Sequence, residues 1–86
     1  MRFPPLVLVE WVDSHGGSDW TSWEDIEDHK KPLLCYSVGW IRFSNKENLT
    51  LVANLAERKG KPDQGFGIIT IPTCAIRKVT PITNYK

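Results

Sequence analysis

Apolar positions along this chain fall in short runs, either unbroken or alternating with polar ones, and turn-forming residues separate them. That texture predicts strands rather than helices. The longest run, Leu33 to Ser44, is rich in β-branched and aromatic residues and carries Gly39 near its middle. It predicts one long strand that bends at Gly39 and so serves both halves of a small barrel, with Leu34, Tyr36, Val38 and Trp40 on one face. An earlier strand, Leu6 to Val12, opens after a proline pair and closes at a polar, glycine-rich turn. Its even positions Leu6, Leu8 and Val12 share one face, and Val7, Val9 and Trp11 the other. Both faces are apolar, so either the strand is covered on both sides or one side meets another subunit.

Between these strands the chain is polar from Ser14 to Pro32, with one short helical signal. Ser22 offers a hydroxyl cap with Asp25 three residues later, and acids fill the first turn. The helix should run to about Asp28, with Trp23 and Ile26 laying it onto the sheet. After the long strand, Asn45 to Asn48 forms a polar tip and Leu49 to Leu55 returns as a hairpin partner. Glu57 to Gln64 reads as a charged, mobile loop holding Gly60 and Pro62. A fourth strand, Gly65 to Ile71, stops at Pro72, which has no amide to donate. Thr73 to Ala75 fits one tight turn before a last strand near Arg77 to Ile82, and Asn84 to Lys86 should fray. The result is a single mainly β domain over residues 1–86. Five strands in this order, with a short helix in the loop after the first strand and a tight turn before the last, resemble a five-stranded SH3-like or Sm-like small barrel.

Composition narrows the class without naming an activity. At 86 residues, 41% of them hydrophobic and 24% charged, the chain can remove only about 60 to 65% of its surface from water, so its core must be thin. Two cysteines allow at most one disulfide, which favours a reducing, cytoplasmic setting. The short apolar run near the start is too brief for a secretory signal core or a membrane span. Net charge is +1, yet seven of the ten acids precede Lys30 and ten of the eleven basic residues lie from Lys30 onward. Two ordinary solvated faces account for this, and a head-to-tail contact between protomers is the sharper alternative.

Few residues combine into chemistry. Asp13, Ser14 and His15 are the residue types of a hydrolase triad, but adjacent side chains rarely converge, and a capped turn explains them better. Polar groups rimming a ligand pocket remain a third reading of that turn. His15, His29, Cys35 and Cys74 lack the close spacing of a structural zinc site, and both thiols suit core packing. Gly65 and Gly67 resemble the start of a dinucleotide loop without its third glycine or following helix; close backbone packing is the better reason for them. Of the four tryptophans, Trp40 and Trp23 are assigned to the core first. Trp20, in a turn-rich segment, is the best candidate for exposure, with structural, interface and ligand roles all open.

The chain also resembles a group of small, functionally uncharacterised bacteriophage proteins. The resemblance rests on Val9 to Ser14, on Trp20 to Ile26, on Ser37 to Trp40, and on Ile69 to Pro72 followed by Ala75 and Ile76. It implies a phage protein made in the cytoplasm of an infected bacterium. Small phage proteins without enzymatic motifs often act by binding, which is an argument from class. The expectation is therefore a non-enzymatic, oligomeric binding protein that counteracts host defence, with no catalytic residue, metal or cofactor. It would sequester a nucleotide-like signalling ligand, or bind a host defence protein, in pockets between protomers. Candidate pocket or interface residues are Trp11, Asp13, Ser14, Trp20, Lys30, Lys31, Arg77 and Lys78. The alternatives are an Sm-like RNA- or DNA-binding protein using the basic stretch Arg58 to Lys61, weakened by the low net charge, and an accessory virion or assembly protein.

Overall fold

A computed structural model of the chain describes residues 3–14 and 16–83. The expected fraying at 84–86, and His15 of the polar turn, lie outside the described residues. Five strands are present: β1 (Leu6–Asp13), β2 (Leu33–Ser44), β3 (Asn48–Arg58), β4 (Lys61–Pro72) and β5 (Ile76–Pro81). They form one antiparallel sheet in the order β4-β3-β2-β1-β5. Two short 3-10 helices complete the chain, Asp25–His29 after β1 and Thr73–Ala75 between β4 and β5. Among the described residues no ladder joins β4 to β5, so the sheet is open rather than a hydrogen-bonded barrel.

The connection from β4 to β5 controls the shape of that sheet. These strands occupy opposite edges, which in a flat five-stranded sheet lie about 19 Å apart. The four steps from Pro72 to Ile76 reach at most about 14 Å. The sheet must therefore curl at this end until its edges approach. Thr73 ties the connection to the β2–β3 turn, its amide donating to the Glu47 carbonyl at 2.8 Å and its hydroxyl to the Asn45 carbonyl at 3.4 Å. That turn is itself closed by Asn45 Oδ1, which accepts from the amides of Glu47 and Asn48 at 2.9 Å each.

Inside the curl lies a small core of Val7, Val9, Leu49, Leu51 and Ile71, with Trp11, Ile41, Ile69, Ala75 and Ile76 packed around it. Register explains why β2 contributes so little bulk. Val7, Val9 and Trp11 stand opposite Gly39, Ser37 and Cys35, so the inward face of β2 carries its small residues. A Cβ placed on Gly39 would sit 2.8 Å from the Val52 carbonyl oxygen and 3.1 Å from Leu51 Cβ. Gly39 permits the close approach of β3 just before Trp40, where β2 begins to pair with that strand. The irregularity in the β2–β3 ladder falls further on, between Ile41 and Phe43.

The large residues of β2 stand on its outward face. Leu34, Tyr36 and Val38 are exposed, beside half-buried Leu6, Leu8 and Val12 on β1. Trp40 is half-buried, its ring stacked on Phe3 with centroids 6.1 Å apart. Trp23, expected in the core, is 86% exposed, because the 3-10 helix after it is one short stretch of three acids with no buried residue to hold it down. The expected cap does form, with the Asp25 amide donating to Ser22 Oγ at 3.2 Å. Cys35 is half-buried and Cys74 exposed, both as free thiols, so core packing does not describe Cys74.

Residues 57–64, expected to form a mobile loop, instead extend β3 and β4 into a ribbon closed by a two-residue turn. Lys59 (φ 54°) and Gly60 (φ 77°) both take the left-handed conformation that such hairpin turns require. Glu57 Oε2 accepts from the Gly60 amide at 2.8 Å, and Arg58 pairs with Asp63 at 3.5 Å. The ribbon leaves the sheet, because β2 pairs with β3 only from Trp40 to Ser44 whereas β3 pairs with β4 along its length. The molecule is accordingly long, 58 × 25 × 22 Å.

Gly39→Val should cost about 2 kcal/mol or more through collision with β3, whereas Trp20→Ala should stay within about 0.5 kcal/mol of the parent. Urea denaturation followed by circular dichroism measures both, and equal losses would refute this division.

Candidate functional site

Seven of the eight residues singled out from the sequence gather at one end of the sheet. Asp13 closes β1 opposite Leu33, Trp11 stands opposite Ile76, and Arg77 and Lys78 follow in β5. Ser14 continues from β1, and Lys30 and Lys31 precede β2. These residues share a neighbourhood at that end of the sheet. The Trp11 indole lies against the core and donates to Ser37 Oγ at 3.0 Å, a bond that fixes the ring. Asp13 Oδ1 accepts from the Ser14 amide at 2.8 Å, the capped-turn reading of this segment. Lys30 pairs with Glu27 at 3.0 Å on the exposed 3-10 helix. Arg77 donates to the Cys74 carbonyl at 3.4 Å, and Lys78 faces Glu10 across the β1–β5 ladder. Trp20, in the segment between β1 and β2, is fully exposed, 105%.

A cleft opens at the other end of β1, where the ribbon leaves the sheet. It measures about 810 Å³, within the ordinary range for small-molecule sites. Its apolar wall is built by Phe3, Pro4, Ile41, Val52, Leu55 and Ile68, and its polar side by Arg42, Lys61, Asp63 and Gln64. Each part has a local cause. Phe3 is held by its stack on Trp40, and the segment before β1 is tied down by the Ile41 amide donating to the Pro5 carbonyl at 2.8 Å. The Arg42 guanidinium sits over the Phe43 ring at 4.2 Å, which restricts an otherwise mobile side chain. The Lys59–Gly60 turn folds Lys61 to Gln64 back along β3. Gly65 lets β4 approach closely, since a Cβ there would lie 3.0 Å from Val52 Cγ1.

Electrostatically the polar side favours an anion. Asp63 is engaged by Arg58, whereas Arg42 and Lys61 have no carboxylate partner among the ion pairs of the described residues. The Trp40 Nε1–H, buried behind Phe3, also has no hydrogen-bond partner among the described residues. No group of three His, Cys, Asp or Glu side chains among the described residues is placed to hold a metal ion. None of the helices described is long and apolar enough to cross a membrane.

None of the eight sequence candidates lines this cleft. Of the residues that do, Phe3, Pro4 and Arg42 carry no marked role in the sequence, and Lys61, Asp63 and Gln64 fall in the stretch expected as a mobile loop, Lys61 also in the basic stretch of the nucleic-acid alternative. One signal was present: a Lys-Gly pair between two stretches of strand-forming character marks a two-residue hairpin, which would have carried Lys61 and Asp63 onto a ribbon.

Ser37→Ala should lower stability by about 1–2 kcal/mol by stranding the Trp11 indole donor, with a fall in the urea midpoint and no change in the slope of the transition. No family model, no curated protein and no solved structure matches this chain.

Proposed function

We propose that this chain is a non-enzymatic binding protein that sequesters a nucleotide-like small molecule in the cleft at the base of its ribbon. The observation that carries this reading is the pairing, in one cavity of ligand size, of an apolar and aromatic wall with two cations. Phe3 and the aliphatic side chains offer a surface for a base, and Arg42 and Lys61 offer partners for phosphate. In the setting implied by the resemblance to phage proteins, the captured molecule is a signal of host defence, and the place of action is the cytoplasm of the infected cell.

A second reading, an Sm-like RNA- or DNA-binding barrel, draws support from the strand order β4-β3-β2-β1-β5 and the three-residue connection between β4 and β5. The curl that this connection imposes is compatible with a small barrel of SH3-like or Sm-like type. A net charge of +1 counts against tight phosphate-backbone binding.

Isothermal titration with cyclic mononucleotides, cyclic dinucleotides, the parent nucleosides and inorganic phosphate tests the proposal. At least one nucleotide should bind more tightly than its nucleoside or phosphate alone, and Arg42→Ala should weaken it about tenfold, a loss of about 1.4 kcal/mol. Binding of single-stranded RNA with a steep salt dependence, and of no mononucleotide or dinucleotide, would replace this reading with the second.

A further inference from the structure

Two strand edges in this molecule face the same gap and neither is paired. β2 is bonded to β1 over Leu33–Trp40, but toward β3 its ladder begins only at Trp40. β3 is bonded to β4 as far as Arg58, but toward β2 its ladder stops at Val52. Residues 33–39 of β2 and 53–58 of β3 therefore border a fork, each with one row of backbone donors and acceptors unused by any backbone bond among the described residues. Unpaired edges of this length, beside exposed apolar side chains, are templates for adding a strand. Leu34, Tyr36 and Val38 flank one of them, and Phe66 on β4 lies beyond the other.

The amount of surface left open is that of a subunit. A folded monomer of 9.8 kDa should expose about 5,200 Å², whereas this chain exposes 7113 Å². The excess, about 1,900 Å² per chain, would amount to about 3,800 Å² over two chains, within the range of obligate dimers. The radius of gyration agrees, at 16.9 Å against about 12 Å for a compact domain of this length.

Charge selects the occupant and its direction. The ribbon tip, residues 57–63, carries Arg58, Lys59 and Lys61 against Glu57 and Asp63, and the segment leading into β2, residues 19–31, carries five acids, Asp19, Glu24, Asp25, Glu27 and Asp28, against Lys30 and Lys31, so the two are oppositely charged on balance. A β3 edge laid antiparallel on the β2 edge of another copy brings its Arg58 end beside Leu33, at the close of that net acidic segment. We infer that a second copy of this chain fills the fork by exchange, the ribbon of each protomer adding to β2 of the other around a two-fold axis. The contact is independent of any ligand.

Light scattering and amide hydrogen exchange on ligand-free protein test this. The chain should run at twice 9.8 kDa. On dilution to monomer, exchange should accelerate at those amides of 33–38 that point away from β1 and at those of 53–58 that point away from β4. Lys59→Glu/Lys61→Glu should weaken dimerisation at least tenfold at low salt, with circular dichroism unchanged. Mixing it with Glu24→Lys/Asp25→Lys should restore a dimer. A monomer at all concentrations, a dimer protected at other strands, or a charge-reversed variant that dimerises as well as the parent would each overturn the inference.

Discussion

Everything about this fold follows from a short tether between the two edges of its sheet. Thr73–Ala75 must carry the chain from β4 to β5 across a distance that a flat sheet would not allow. Curling brings β1, β3 and β4 together, and the core that results is lined by Val9, Leu51 and Ile71, each almost wholly buried. It also dictates which residues β2 can place inward. Cys35, Ser37 and Gly39 share the inward face, β3 comes too near Gly39 for any side chain there, and the bulk of β2 stands on the other face.

The curl is tight at one end and released at the other. Where Trp40 meets Val52 the two strands part, and the ribbon of β3 and β4 continues with no third strand beside it. A two-stranded ribbon is marginal alone in water, so the left-handed Lys59–Gly60 turn and the Arg58–Asp63 pair matter more here than they would within a sheet. The same parting creates the cleft, because Leu55, Lys61 and Gln64 can overhang Phe3 and Arg42 only once β3 has left β2. Cleft and fork are two results of one divergence.

Local chemistry in the sequence was legible wherever a residue acts on its near neighbours. Pro72 ends β4, the Ser22 hydroxyl caps the turn at Asp25, and Thr73–Ala75 forms the tight connection. All five strands were anticipated, β2 with the bounds observed and the other four with different ones, β3 and β4 falling short by the ribbon. What escaped reading depends on distant partners. The alternation in β2 announces two faces without saying which lies inward; only the pairing with Val7 and Val9 decides it. Trp23 looks like a core residue until its helix is seen to have nothing beneath it. Seven of the eight candidate residues do collect at one end of the sheet, but apart from the Lys59–Gly60 turn no local pattern marks the residues that build the cleft. Phe3 and Arg42 gain meaning only from the ribbon that comes to overhang them.

The four tryptophans divide into two pairs with opposite surroundings. Trp11 and Trp40 are partly enclosed, one bonded to Ser37 and the other stacked on Phe3, while Trp20 and Trp23 stand in water. Indole emission shifts with solvation, so the chain carries two built-in optical channels. Light from the enclosed pair reports on the integrity of the curl and on the state of Phe3 at the cleft. Light from the solvated pair reports on whatever settles over the segment between β1 and β2. A single fluorescence spectrum, resolved into its short- and long-wavelength parts, can therefore separate events at the two ends of the molecule without any added label.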